Sequence, residues 1–284
     1  MEHDALLNGF VRPALLLVLS ILFWKLSPSL ASLLWALLAA YAALALLSLR
    51  AFARHYSFHD LWQALRRCEV DHAVLRFGIP HSLHLTFDKY LTRLDLMMLG
   101  AMGYSNFDLG LYGSAAMITV NIREVRLIFS SALGPVIARY HAQGDRGAFA
   151  ELLGRVMRWT TTIAAPIVLL VAATRTDLLG IFDASYAQAD SRFMLLLLIP
   201  PMLNCSFGLV GNCIVFTGHS GYNLLNSVLV AALNTAFNYL LIPAYGLLGA
   251  AAATALASLL VTLLQMIELR ALEHVSVRLR DVYK

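Results

Sequence analysis

The chain has 284 residues, of which 60% are hydrophobic and only 13% charged, and its mean hydropathy is +0.71. A soluble globular chain is about 25% charged, because its surface must be solvated, so this composition excludes a soluble enzyme and calls for lipid as solvent. The formal net charge of +4 is modest, and the basic residues lie between apolar runs, which excludes a nucleic-acid-binding face. Cys68, Cys205 and Cys213 have neither a paired framework nor metal-ligand spacing and read as small packing residues.

A helix crossing the hydrocarbon layer needs about 20 mostly apolar residues. On that criterion the sequence predicts an all-α polytopic bundle of about eight spans, at roughly 11–26, 29–48, 76–100, 109–135, 158–181, 192–216, 222–243 and 246–267. The first apolar run, Pro13 to Trp24, follows a single Arg12 and reads as a span, not a cleaved signal. Between the second and third spans lies the longest polar stretch, Leu49 to Leu75. There Phe58, Leu61, Trp62 and Leu65 alternate with charged neighbours, the pattern of an amphipathic surface helix. The expected organisation is two helices over roughly 1–50, an amphipathic cytoplasmic linker over 51–75, a six-helix lobe over 76–270 and a tail over 271–284. Turns are expected at Gly103 to Asp108, Gly218 to Gly221 and Pro243 to Gly246. Pro135, Pro166, Pro200, Pro201 and Pro243 are expected to kink or end helices.

Basic residues set the orientation. Arg50, Arg54, Arg66, Arg67, Arg76, Arg139, Arg146, Arg155, Arg158, Arg270, Arg278, Arg280 and Lys284 fall on one side, while the other has Lys25, Arg175 and Arg192. Excess Lys and Arg marks the cytoplasmic side, so an even span count places both termini in the cytoplasm.

The third and fourth spans are unusually polar. At ~100° per residue, His81, His84, Asp88, Thr92 and Asp95 fall within an arc of about 80°, with Lys89 and Arg93 one turn apart beside them. In the fourth, Tyr112, Thr119, Arg123, Arg126 and Ser130 form a stripe, with Glu124 off it. A charge at the bilayer centre costs at least ~2.5–3.5 kcal/mol on insertion scales, so this face must meet water, a substrate or partner charges. Two arrangements satisfy that need and can coexist. Asp88 or Asp95 can pair with Arg123 or Arg126 to hold the bundle, or Lys89, Arg93, Arg123 and Arg126 can form a cationic cavity wall, with Asp88, Asp95 and Glu124 as ion-pair or coupling groups. Gly249, Ala253 and Ala257 form a small-residue stripe suited to close helix approach. Asn223, Asn226, Asn234 and Asn238 are placed to hydrogen-bond between helices. His55, His59 and His72 read as surface residues. No nucleotide loop, metal motif or nucleophile elbow is present, so no cofactor, no metal and no enzymatic chemistry are expected.

Four stretches resemble the multidrug/oligosaccharidyl-lipid/polysaccharide (MOP) exporter superfamily, in particular its polysaccharide-biosynthesis members of the O-antigen flippase type. They are Thr92–Gly100 (TRLDLMMLG), Leu109–Ala116 (LGLYGSAA), Leu133–Asp145 (LGPVIARYHAQGD) and Asn234–Thr254 (NTAFNYLLIPAYGLLGAAAAT). The resemblance implies a MATE-like fold of two six-helix bundles around a central cavity, of which this chain matches the C-terminal lobe plus two preceding helices. It implies a flippase in the bacterial inner membrane that translocates a polyprenyl-diphosphate-linked oligosaccharide, with four N-terminal helices missing or supplied by another subunit. The alternatives are a cation-coupled multidrug exporter of the same superfamily, a truncated non-transporting remnant, and a polytopic membrane glycosyltransferase. The short loops disfavour the glycosyltransferase, and basic groups outnumber acids in the two polar spans, which disfavours the multidrug exporter.

Overall fold

The computed structural model describes residues 12–55 and 72–273; among them every regular element is helical. They divide into two units, residues 1–70 and 71–284.

In the first unit, α1 (Arg12–Leu26) and α2 (Leu30–His55) pack as an antiparallel hairpin. The turn is held by Ser32, whose hydroxyl donates to the Ser29 carbonyl at 2.7 Å. Ser32, Ala36 and Ala40, spaced one helical turn apart, are buried, as a small-residue stripe requires for close helix approach. Helix α2 continues through Arg50 and Arg54, so the predicted linker at 51–75 begins inside a helix. The expected amphipathic segment around Trp62 lies outside the described residues, as do Cys68 and most of the expected tail.

The second unit is a helical bundle of α3 (His72–Ala101), α4 (Asn106–Asn121), α5 (Glu124–Gln143), α6 (Arg146–Ala173), α7 (Arg175–Phe182), α8 (Arg192–Leu197), α9 (Ile199–Phe216) and α10 (Ser220–Glu273). Among the described residues, four helical segments are long and apolar enough to cross a membrane: Leu30–Arg50, Arg146–Ala173, Arg192–Phe216 and Gly221–Leu272. Helix α3 falls outside that set because of the charges it carries, and α4, at 16 residues, because it is too short. The outward surface is apolar: Ile128, Leu169, Tyr239 and Ile267 are each at least 65% exposed. So much apolar surface suits lipid, not water.

The structure corrects several predicted spans. The fourth is two helices, not one over 109–135. At the junction, Ile122, Arg123, Val125 and Arg126 donate to the carbonyls three residues back instead of four. This single 3₁₀ turn tightens the chain between α4 and α5. The fifth, predicted at 158–181, lies at Arg146–Ala173, because Asp145 caps its start by accepting from the Ala148 N–H at 3.0 Å. Arg155 and Arg158 therefore lie within this helix and not in a loop before it. The predicted sixth span stands as one apolar segment, Arg192–Phe216, with a local helix break between α8 and α9 just before Pro200 and Pro201, which cannot donate to a helical ladder. The α7–α8 connection includes Asp190, whose carboxyl the Arg192 guanidinium holds down at about 2.

The turns appear where expected. Ser105 and Asp108 form a capping box at the start of α4. The two last predicted spans are the halves of α10, separated at Gly246, with φ 59 and ψ −133. An L side chain is strained in that conformation. Three residues later, an added Cβ on Gly249 would lie 2.2 Å from the Leu241 carbonyl oxygen, so only glycine lets the two halves fold back this closely. The Tyr104 hydroxyl donates to the Ile242 carbonyl at 3.1 Å and ties the α3–α4 turn to this break. Ala250, Ala251, Ala253 and Ala257 are buried.

Two apolar clusters fill the two ends of the bundle. Leu99, Leu111, Tyr112, Phe193, Met194 and Ile242 pack near the Gly246 break. Ile137, Leu153, Met157, Val210 and Ile214 are among those that pack at the opposite end. Cys205 and Cys213 are buried, as small packing residues should be. A smaller cluster around Ile122, Ala164, Leu198 and Cys205 lies between the two.

Candidate functional site

The polar face of α3 meets the bundle in three successive places. Nearest its start, the His84 ring contacts Asn223 (3.4 Å from Nε2) and the Ser227 hydroxyl, both on α10. One turn on, Asp88 accepts from Arg123 Nη2 at 3.4 Å. About 10 Å further along the helix, Asp95 is buried, 8% exposed.

Asp95 accepts from three neutral donors on three helical segments. The Tyr112 hydroxyl donates from 2.8 Å, the Asn238 amide from 2.8 Å and the Thr254 hydroxyl from 2.6 Å. Asn238 also donates to Asn234 Oδ1 at 2.8 Å, and Asn234 donates to the Thr254 hydroxyl at 2.9 Å. A buried carboxylate needs its lone pairs filled, and here α4 and both halves of α10 fill them. The Tyr112 ring stacks on Phe193, with centroids 5.7 Å apart, which fixes its hydroxyl towards Asp95. Among the described residues Asn238 Oδ1 has no hydrogen-bond partner. It is an open acceptor on the residue whose amide nitrogen donates to Asp95.

The basic residues divide. Arg123, beside the 3₁₀ junction, is half-buried and holds Asp88. Arg126 is 7% exposed, and its Nε donates to Asn204 Oδ1 on α9 at 2.7 Å. Among the described residues no carboxylate lies within ion-pair distance of Arg126. Arg123 and Arg126 together with Asp88 therefore leave one surplus positive charge where α5 packs on α9. Lys89, Arg93 and Glu124 are exposed. The structure thus brings together Asp88 with Arg123, and Arg126 with Asn204, while Asp95 sits in a separate cluster.

The sequence reading placed Asp95, Tyr112, Arg123 and Arg126 on polar stripes and gave the asparagines an inter-helix role, which they have. It did not identify Thr254, Asn204 or Ser227 as partners. The signal for Thr254 was present: it follows the Gly246 break by eight residues, enough to bring it back level with Asn234 and Asn238.

A family model described as polysaccharide biosynthesis protein matches residues 11–186. No curated protein matches the chain. Among solved structures, the chain is similar to an outward-facing multidrug resistance MATE family transporter of the MOP superfamily, with a TM-score of 0.60 and 18% identity over 75% of this chain and 48% of that one. It is also similar to a MOP superfamily transporter from Pyrococcus furiosus Vc1 (DSM3638), with a TM-score of 0.50 and 17% identity over the same shares; for that protein a reversed polarity of the binding pocket suggests a different function. The chain thus spans about half the length of these transporters. The all-α fold is that of MOP transporters, and the chain belongs to the polysaccharide biosynthesis protein family.

Proposed function

We propose that this membrane protein works in translocating a polyprenyl-diphosphate-linked oligosaccharide across the bacterial inner membrane, with both termini cytoplasmic, as a transporter and not an enzyme. The observation that carries the reading is Arg126, a buried guanidinium with an amide partner and, among the described residues, no carboxylate at ion-pair distance. An uncompensated charge in a low-dielectric interior is costly, and a bound anion offsets that cost. Guanidinium matches phosphate oxygens in a bidentate manner. Arg123 lies three residues away and can turn to the same ligand when it releases Asp88. The exposed Lys89 and Arg93 extend the basic surface for acidic sugars or the second phosphate. The family match to polysaccharide biosynthesis supports a glycan-bearing substrate.

The test is Arg123→Ala, Arg126→Ala and the double variant, with membrane abundance measured beside glycan export. Loss of export at normal abundance supports the anion site. Unchanged export in all three sinks it.

A second reading, cation-coupled multidrug export, rests on Asp95. A carboxylate held among hydroxyls and amides, with the Asn238 oxygen unpartnered, suits a coupling proton or cation. The two roles are compatible if the cation at Asp95 drives the movement of an anion at Arg126.

A further inference from the structure

Helices α5 and α9 meet along a seam with more features than anion binding uses. They run in the same direction, and facing residues pair in order: Arg126 with Asn204, Ser130 with Asn212, and Gly134 with Phe216. On both helices the participating positions recur every four residues, as Arg126, Ser130, Gly134 and Ala138 on α5 and Asn204, Gly208, Asn212 and Phe216 on α9. The chemistry changes steadily along the seam. It is charged at Arg126, neutral and polar at Ser130, and apolar from Gly134 onward.

Beside the seam lies a groove of about 620 Å³ lined by Leu127, Ser130, Gly134, Pro135, Ala138 and Phe216. That is within the ~300–1,000 Å³ range of ligand sites. Its lining on α5 runs from Leu127, next to Arg126 in the chain, to Ala138, about 16 Å of helix rise. Ser130 supplies the only polar side chain among the lining residues, and its hydroxyl already accepts from Asn212. A sugar placed here would lose its water without finding replacement hydrogen bonds. A hydrocarbon chain would lose nothing. A second apolar helix would leave Arg126 facing an uncharged partner, whereas an amphiphile with an anionic end satisfies both ends of the seam at once.

We propose that this groove seats the hydrocarbon chain of a phosphate-bearing lipid whose phosphate sits at Arg126. The proposal rests on the anionic-substrate reading of Arg123 and Arg126, and adds where the lipid portion lies and how the site selects a lipid over a free diphosphate.

The experiment uses the purified full chain in detergent and two probes, a polyprenyl diphosphate with a diazirine on its chain and a five-carbon isoprenyl diphosphate. Photolysis is expected to label the peptide containing residues 127–138. Ala138→Phe and Leu127→Trp, both at exposed positions, narrow the groove. Each is expected to lower the affinity for the long-chain probe about tenfold relative to the five-carbon one, because two buried methylenes alone are worth that factor. Unchanged thermal unfolding establishes that a variant is folded, and the two variants serve as controls for each other. Labelling confined to other helices, or an unchanged affinity ratio in both folded variants, overturns the groove while leaving the anion reading intact. Binding of neither probe by the wild type overturns both.

Discussion

Substituting Gly249 with alanine sets two opposed effects against each other, and the structure decides which wins. Alanine in a helix is favoured over glycine by about 1 kcal/mol. The new Cβ, however, would lie 2.2 Å from the Leu241 carbonyl oxygen, 2.6 Å from the Leu241 carbonyl carbon and 3.0 Å from the Ile242 nitrogen. Relief requires a shift of about 1 Å, and overpacking of this kind costs about 1–3 kcal/mol even where side chains can adjust. Here all three neighbours are backbone, so no rotamer change helps, and the halves of α10 must separate. The cost falls at the upper end of the range or beyond it, for a net loss of about 2 kcal/mol or more once propensity is subtracted. In a chain of this size that corresponds to a fall in unfolding temperature of about 4 °C or more. The assay is thermal unfolding of the purified protein in detergent, followed by size-exclusion of the remaining monodisperse fraction. Gly221→Ala is the matched control, since nothing lies within 4 Å of its added Cβ, and it should be neutral or slightly stabilising. Equal unfolding temperatures for Gly249→Ala and wild type would refute the close approach at the α10 break.

Four further outcomes follow from the same geometry. Tyr104→Phe removes the hydroxyl donor to the Ile242 carbonyl and should cost about 1 kcal/mol in the same unfolding assay. Ala253→Leu forces a large side chain into a buried position and should lower membrane abundance; normal abundance with a selective transport defect would show a substrate role instead. Asp95→Asn retains the size of the side chain but places an amide where three donors converge. It should abolish any dependence of transport on a cation gradient, measured by imposing the gradient across proteoliposomes. Asp190→Asn should change unfolding by less than about 1 kcal/mol, because an exposed pair contributes little, and a larger loss would show that the loop contact with Arg192 supports α8.

The class of the fold was legible because lipid imposes a coarse signal. Long apolar runs mark helices, and the glycine and proline turns at 103, 218 and 246 mark where they reverse. Helix breaks within spans were not legible. The 3₁₀ turn at Ile122 and Arg123 has no proline or glycine at the junction to mark it in the sequence. The start of α6 at Arg146 was missed because its first turns are polar, and hydropathy sees only the part in contact with lipid. The polar residues of the candidate site were visible as helical stripes, since charges in apolar spans stand out individually. Their partners were not, because Thr254, Asn204 and Ser227 are ordinary residues until the fold brings them beside Asp95, Arg126 and His84. Separation of the acids was also invisible from spacing. Asp88 and Asp95 share one helical face, yet one meets a guanidinium and the other only neutral donors.

The most direct measurement places the purified full chain in proteoliposomes with two cargoes, a fluorescent polyprenyl-diphosphate oligosaccharide and a cationic dye, and follows the movement of each across the bilayer. The account predicts that the lipid-linked oligosaccharide crosses, that the dye does not, and that Arg126→Ala at equal reconstitution stops the crossing. Movement of the dye, with the oligosaccharide unmoved or unaffected by Arg126→Ala, would contradict it.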